Sequence, residues 1–175
     1  MKRRTDLIAF GLIAAFVGPG GQARGLQQIS NATESIQKTR PPIPQAGRVT
    51  DMANILSANR QNDLTTKLED LERVTRHQMV VVTVASLGGQ EIASFTAELA
   101  KSWGVGRNSD SGVVLLVAPN EQMVRIAVVG EELQTKLTKE VLEEIINDTM
   151  TPQLRAGDLP GGIEAGLDAL IALLR

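Results

Sequence analysis

The chain has 175 residues, 18 Lys/Arg against 20 Asp/Glu, no cysteine, and only four aromatic side chains, three Phe and one Trp. Without cysteine, thiolate metal sites, cysteine nucleophiles and disulfides are excluded together. A formal charge of −2 and so few rings argue against nucleic acid, which needs a basic face for phosphates and aromatic platforms for unpaired bases.

Lys2-Arg3-Arg4 precedes an apolar run from Leu7 to Val17, and Gly21-Gln22-Ala23 then offers small residues. The run is shorter than the ~20 residues a spanning helix needs, so residues 1–23 read as a signal peptide, with an uncleaved membrane anchor as the alternative. The protein is expected to be exported, periplasmic or secreted. Removing the leader's three basic residues and one acidic residue takes the formal charge from −2 to −4. Residues 24–47 are polar, end in Arg40-Pro41-Pro42-Ile43-Pro44, and read as a flexible spacer with a stiff end. The folded domain is expected over 48–175.

Ser57 is an N-cap residue type, and Leu64, Leu68 and Leu71 follow at helical spacing, which predicts a helix to about Arg76. The β-branched, continuously apolar run near 79–85 predicts a central strand buried on both faces. Ile92, Phe95, Leu99 and Trp103 form the stripe of a second helix closed by Gly104. Strands are predicted near 113–118 and 123–129, and the short Pro119-Asn120-Glu121 link makes them an antiparallel hairpin. After Thr138, a further N-cap type, Val141, Leu142, Ile145 and Ile146 give a third helix that Pro152 should kink or restart. The last helix carries Ile163, Leu167, Leu170 and Leu174 on one side. This order implies an α/β fold, a three-layer α/β/α sandwich with a mixed sheet.

Several familiar motifs fail on spacing. There is no GxxxxGK phosphate loop, no HExxH and no GxSxG. Gly104-x-Gly106 follows a helix and lacks a third glycine, and Asn108-x-Asp110-x-Gly112 has no closing glutamate, so neither a dinucleotide fingerprint nor an EF-hand is present. His77, the one histidine, reads as an exposed surface residue. What remains is acidic and amide-rich. Asp51, just ahead of the first helix, is either a helix-initiating turn residue or a ligand for a hard cation. Asp110 precedes the hairpin and Glu131 and Glu132 follow it, so these carboxylates approach one another at one end of the sheet. Adding Asp51 would give a cluster whose mutual repulsion a bound cation relieves. Asn54, Arg107, Asn108, Ser111 and Gln134 are the further site-lining candidates, with Arg107 the nearest guanidinium for a phosphate.

Gly47-Arg48-Val49-Thr50-Asp51-Met52-Ala53-Asn54-Ile55-Leu56-Ser57, Asp110-Ser111-Gly112-Val113-Val114-Leu115-Leu116-Val117 and Val124-Arg125-Ile126-Ala127-Val128-Val129-Gly130 occur in that order. Pro152-Gln153-Leu154-Arg155-Ala156-Gly157-Asp158 and Gly161-Gly162-Ile163-Glu164-Ala165-Gly166 follow. Together they resemble the TPM domain family from Gly47 to the C-terminus. The resemblance implies a compact α/β/α domain, export to the cell envelope, and an acidic site for divalent cations, often Ca2+ and otherwise Mg2+ or Mn2+. Some members are described as phosphatases; others act in repair or assembly of membrane complexes. Asp51 and Asp110 match the family's acidic positions. The usual Gly-x-Gly-Leu-Glu after the hairpin is here Gly130-Glu131-Glu132-Leu133-Gln134, and Ser111 replaces the usual Asn. A lost carboxylate at Gln134, and a side chain at Glu132 where a glycine of positive φ would be obstructed, weaken the cation site. The expectation is therefore a non-catalytic interaction or assembly module with an envelope or membrane-associated protein partner. The alternative is a metal-dependent acid phosphatase acting on phosphomonoesters. No catalytic residue is assigned.

Overall fold

Four strands form one sheet in the order β1-β2-β3-β4, with β1 at Val49–Asp51, β2 at Gln78–Thr83, β3 at Gly112–Ala118 and β4 at Met123–Val129. The computed structural model describes residues 43–107 and 111–175; the expected leader, most of the spacer, Asn108 and Asp110 lie outside the described residues. Pairings β1–β2 and β2–β3 are parallel and β3–β4 is antiparallel, so the mixed sheet and its hairpin are as the sequence predicts. Strand β3 is buried along its whole length because it lies between two strands and two helical layers. Strand β4 is an edge, and Met123 and Arg125 stay exposed there.

Helix α1, Ala58–Thr75, starts where the Ser57 hydroxyl accepts from the Arg60 amide and stops where Arg76 turns left-handed at φ 67°. Helix α2, Ile92–Trp103, starts at Glu91, whose carboxylate accepts from the Ala93 and Ser94 amides, and closes at Gly104 with φ 62°. After β4 come a short helix α3, Glu131–Lys136, and a longer helical run: α4 at Lys139–Glu144, a π turn at Ile145–Met150, and α5 at Thr151–Arg155. Pro152 sits in the first turn of α5, directly after the π turn, and the backbone stays right-handed helical through the join, so the run changes its turn there without stopping. The final helix α6, Leu159–Leu174, is capped by Asp158, whose side chain accepts from the Gly161 amide.

The pleat divides the core in two. Met79, Val81, Val113, Leu115 and Val117 face one way and pack with Leu64, Leu68 and Leu71 of α1 and Ile163, Leu167 and Leu170 of α6. Val80, Val82, Val114 and Leu116 face the other way and pack with Phe95, Leu99 and Ala100 of α2. The result is an α/β/α sandwich. The β1-α1-β2 and β2-α2-β3 crossovers step the same way across the sheet but place their helices on opposite faces, so they have opposite hands. One of them is therefore left-handed, against the strong general preference for right-handed crossovers.

The end of the stretch read as spacer is tied down. The Trp103 indole donates to the Ile43 carbonyl at 2.8 Å, and Ile43 packs against the α2-side core. Among the described residues no helix is long and apolar enough to cross a membrane.

Candidate functional site

Asp51 closes β1 and aligns with Thr83, the last residue of β2. Its half-buried carboxylate accepts from the Ile55 amide at 3.2 Å and the Leu56 amide at 2.8 Å, from the Gln61 side chain at 3.4 Å, and from the Thr83 hydroxyl in a short contact. The amide bonds wind residues 51–56 into the turn that feeds α1, and Asn54 supplies the left-handed step at φ 53°. Thr83, fully buried, also accepts from the Ala53 amide. Both oxygens of Asp51 therefore already hold donors from the protein.

The other acidic candidates lie at the opposite end of the sheet. Gly112 aligns with Gln78 on β2 and with Val129 on β4, so Ser111, Arg107, Glu131 and Glu132 belong to that end. Five residue steps along β2 separate the two ends, roughly 16 Å at the rise of a strand. Asp51 and Asn54 are thus not brought together with Glu131 and Glu132. Asp110 and Asn108, outside the described residues, adjoin Ser111 in the chain. Among the described residues no three carboxylates or imidazoles gather as a cation would require. A cation at Asp51 would have to displace the amide and hydroxyl donors that its oxygens already hold.

The Glu131 and Glu132 side chains are exposed in the first turn of α3, where carboxylates suit the positive end of a helix. The positive φ of this segment falls on Gly130, at 97°, while Glu132 is helical, so the side chain at 132 meets no backbone obstruction. Gln134 is exposed on the same helix, and Arg107 is exposed in the turn after α2. His77 requires a correction. Expected at the surface, it is 7% exposed, and its Nδ1 lies 2.8 Å from the Oγ of buried Ser111. Gln78 aligns with Gly112 in the β2–β3 pairing, which sets His77 beside Ser111, a placement that no local pattern signals.

A second feature was not legible in the sequence. A cleft of about 610 Å³ opens where β3 ends and β4 begins. Val117, Val124, Ile146 and Leu154 give it an apolar floor; Gln122, Asn147, Thr151 and Arg155 add polar groups. Ligands of open α/β sheets tend to lie beyond the carboxyl ends of the strands, which is where this cleft sits. The π turn borders it: the Thr151 hydroxyl donates to the Ile146 carbonyl at 2.6 Å, and such turns concentrate at functional sites. Residues from β3, the hairpin turn, β4, the π turn and α5 meet in space to line this cleft, so neither spacing nor motif announces it.

Fold and geometry thus define a three-layer α/β/α domain with its carboxylates split between two ends and an open cleft at one of them. The chain belongs to the TPM domain family, whose model matches residues 49–173. Among solved structures it is similar to the N-terminal domain of a protein from P. gingivalis, with 30% identity, a TM-score of 0.65, and coverage of 72% of this chain and 80% of that one. The fold is shared with the N-terminal domain of the cg2496 protein of Corynebacterium glutamicum at 17% identity, TM-score 0.58, covering 78% of this chain and 86% of that one. It is shared also with the BA42 protein of Bizionia argentinensis at 13% identity, TM-score 0.57, covering 68% and 81%. None of the curated proteins matches the chain.

Proposed function

We propose that this chain is an exported TPM-domain protein that serves as a non-catalytic interaction or assembly module of the cell envelope. The observation that carries the reading is the state of Asp51: its carboxylate is engaged in building the entry to α1 and lies at the end of the sheet remote from Glu131 and Glu132. The basic and apolar leader at residues 1–23 supports export, with an envelope protein as the partner. Calorimetric titration of the purified protein with Ca2+, Mg2+ and Mn2+, run beside a phosphomonoester hydrolysis assay, tests it. Neither saturable binding at Asp51 nor turnover above buffer is expected. Hydrolysis abolished by Asp51→Ala in a protein that remains folded would overturn the reading.

A metal-dependent phosphatase is the second reading, and one observation favours it. The loop into β3 and the Glu131-Glu132 pair share an end of the sheet, with the Arg107 guanidinium exposed near the same loop. Cation binding or turnover lost in Asp110→Asn and Glu132→Gln, but kept in Asp51→Asn, would favour it.

A further inference from the structure

We infer that the cleft between the start of β4 and α5 is a docking site for an extended acidic–apolar peptide segment of a partner protein, laid against the open edge of β4. The inference rests on the reading of the chain as an interaction module and names the chemistry of what it binds.

Three observations carry it. First, the sheet ends at β4: among the described residues no strand pairs with its outer side. An antiparallel edge strand leaves alternate N–H and C=O groups directed outward, which an added strand can satisfy. Second, the cleft opens beside the start of that strand, at Met123 and Val124, beyond the carboxyl end of β3. Val124 of β4, Val117 of β3, and Ile146 and Leu154 of the opposing helical run form a trough with an apolar floor and polar groups around it. Its volume of about 610 Å³ suits a few residues of peptide and lies within the range of ordinary binding clefts. Met123, at the mouth, is 46% exposed, an apolar side chain left for a partner to cover. Third, the charge is one-sided. Arg155 is the single ionisable residue lining the cleft, and it makes no ion pair among the described residues. Gln122, Asn147 and Thr151 add neutral polar groups. A trough with an apolar floor, a lone guanidinium and no lining carboxylate selects an occupant that brings apolar side chains and negative charge. In an extended segment, alternate side chains fill the trough while those between reach its rim.

The test uses a fluorescein-labelled octapeptide of alternating valine and glutamate, its counterpart with lysine for glutamate, and a version of the acidic peptide methylated on alternate backbone amides. Fluorescence anisotropy with the full chain should show saturable binding of the acidic peptide alone. Arg155→Glu should weaken that binding by roughly tenfold or more, the scale of a lost charge-assisted contact, and should admit the lysine peptide instead. Arg155→Lys should restore part of the affinity, and Lys101→Glu, on exposed α2 surface, should leave it within about twofold. Equal binding of both peptides, binding unchanged by backbone methylation, or displacement by dodecanoate as tight as by the peptide would each overturn the proposal. So would no binding at millimolar peptide. Cation binding or phosphomonoester turnover in the assays above would defeat the functional reading while leaving a measured peptide site standing, so the two failures are distinguishable.

Discussion

Replacing Asp51 by alanine separates a structural carboxylate from a metal ligand. In the structure the side chain accepts from two amides, a buried threonine hydroxyl and a glutamine amide. Hydrogen bonds to a charged group contribute about 1.5–3 kcal/mol each when buried, and Asp51 is only half-buried, so water replaces part of what is lost. The Ile55 and Leu56 amides and the Thr83 hydroxyl together set an expected loss of about 3 kcal/mol. For a domain of this size that lowers Tm by roughly 10 °C. The assay is thermal unfolding by circular dichroism, in EDTA and again in millimolar Ca2+. A structural Asp51 predicts the full loss in EDTA and the same loss with Ca2+. A ligand Asp51 predicts the reverse: the metal-free proteins melt together, since removing a carboxylate relieves repulsion, and Ca2+ raises only the wild type. Equal melting of the two proteins in EDTA would refute the reasoning.

Thr83→Val keeps the shape of a fully buried side chain but removes the hydroxyl shared between Asp51 and the Ala53 amide; a loss of about 1–2 kcal/mol in urea unfolding is expected. Gly112→Ala would place a Cβ 2.6 Å from Val105 Cγ1, 3.1 Å from the Gly106 nitrogen and 3.2 Å from the Gln78 carbonyl oxygen. Because two of those neighbours are backbone, the substitution should cost about 1–3 kcal/mol, measured by denaturant midpoint. The Lys67 ammonium bridges Glu164 and Asp168 between α1 and α6, and its hydrogen bond to Asp168 holds its pKa above the ordinary lysine range, with partial burial opposing. A raised lysine pKa stabilises fully below the unfolded value of about 10.4 and is lost as pH rises through the folded value. Wild type should therefore exceed Lys67→Met by at most about 1 kcal/mol at pH 7, the exposed pair being screened, with the gap closing above about pH 10.5 in pH-dependent urea melts.

The elements were legible in the sequence because their signals are local. Ser57 with Leu64, Leu68 and Leu71, and the Ile92–Trp103 stripe before Gly104, mark helices by cap and period, and the observed bounds of α1 and α2 follow them. The continuous apolar runs of β2 and β3 state that both faces are covered, and the short link after Ala118 dictates a hairpin. Strand β1 has three residues and α3 has six, too few for a period to show. For the same reason the helix that Glu131 and Glu132 open has no counterpart among the predicted elements.

Position across the molecule was decided by the tertiary structure alone. The sequence places Asp51 before a helix and Asp110, Glu131 and Glu132 around a hairpin, but only strand register fixes which end of the sheet each occupies. The parallel pairing of β1 with β2 puts Asp51 at the end remote from Glu131. Likewise, alternation of strands and helices is written in the chain, yet the face to which each helix packs depends on burial against both sides of the sheet at once. The buried His77–Ser111 contact spans 34 residues of sequence, and the cleft at Val124, Ile146 and Arg155 joins segments that carry no common pattern. Local propensity determined what each segment of this protein is; contacts between distant segments decided which side chains meet.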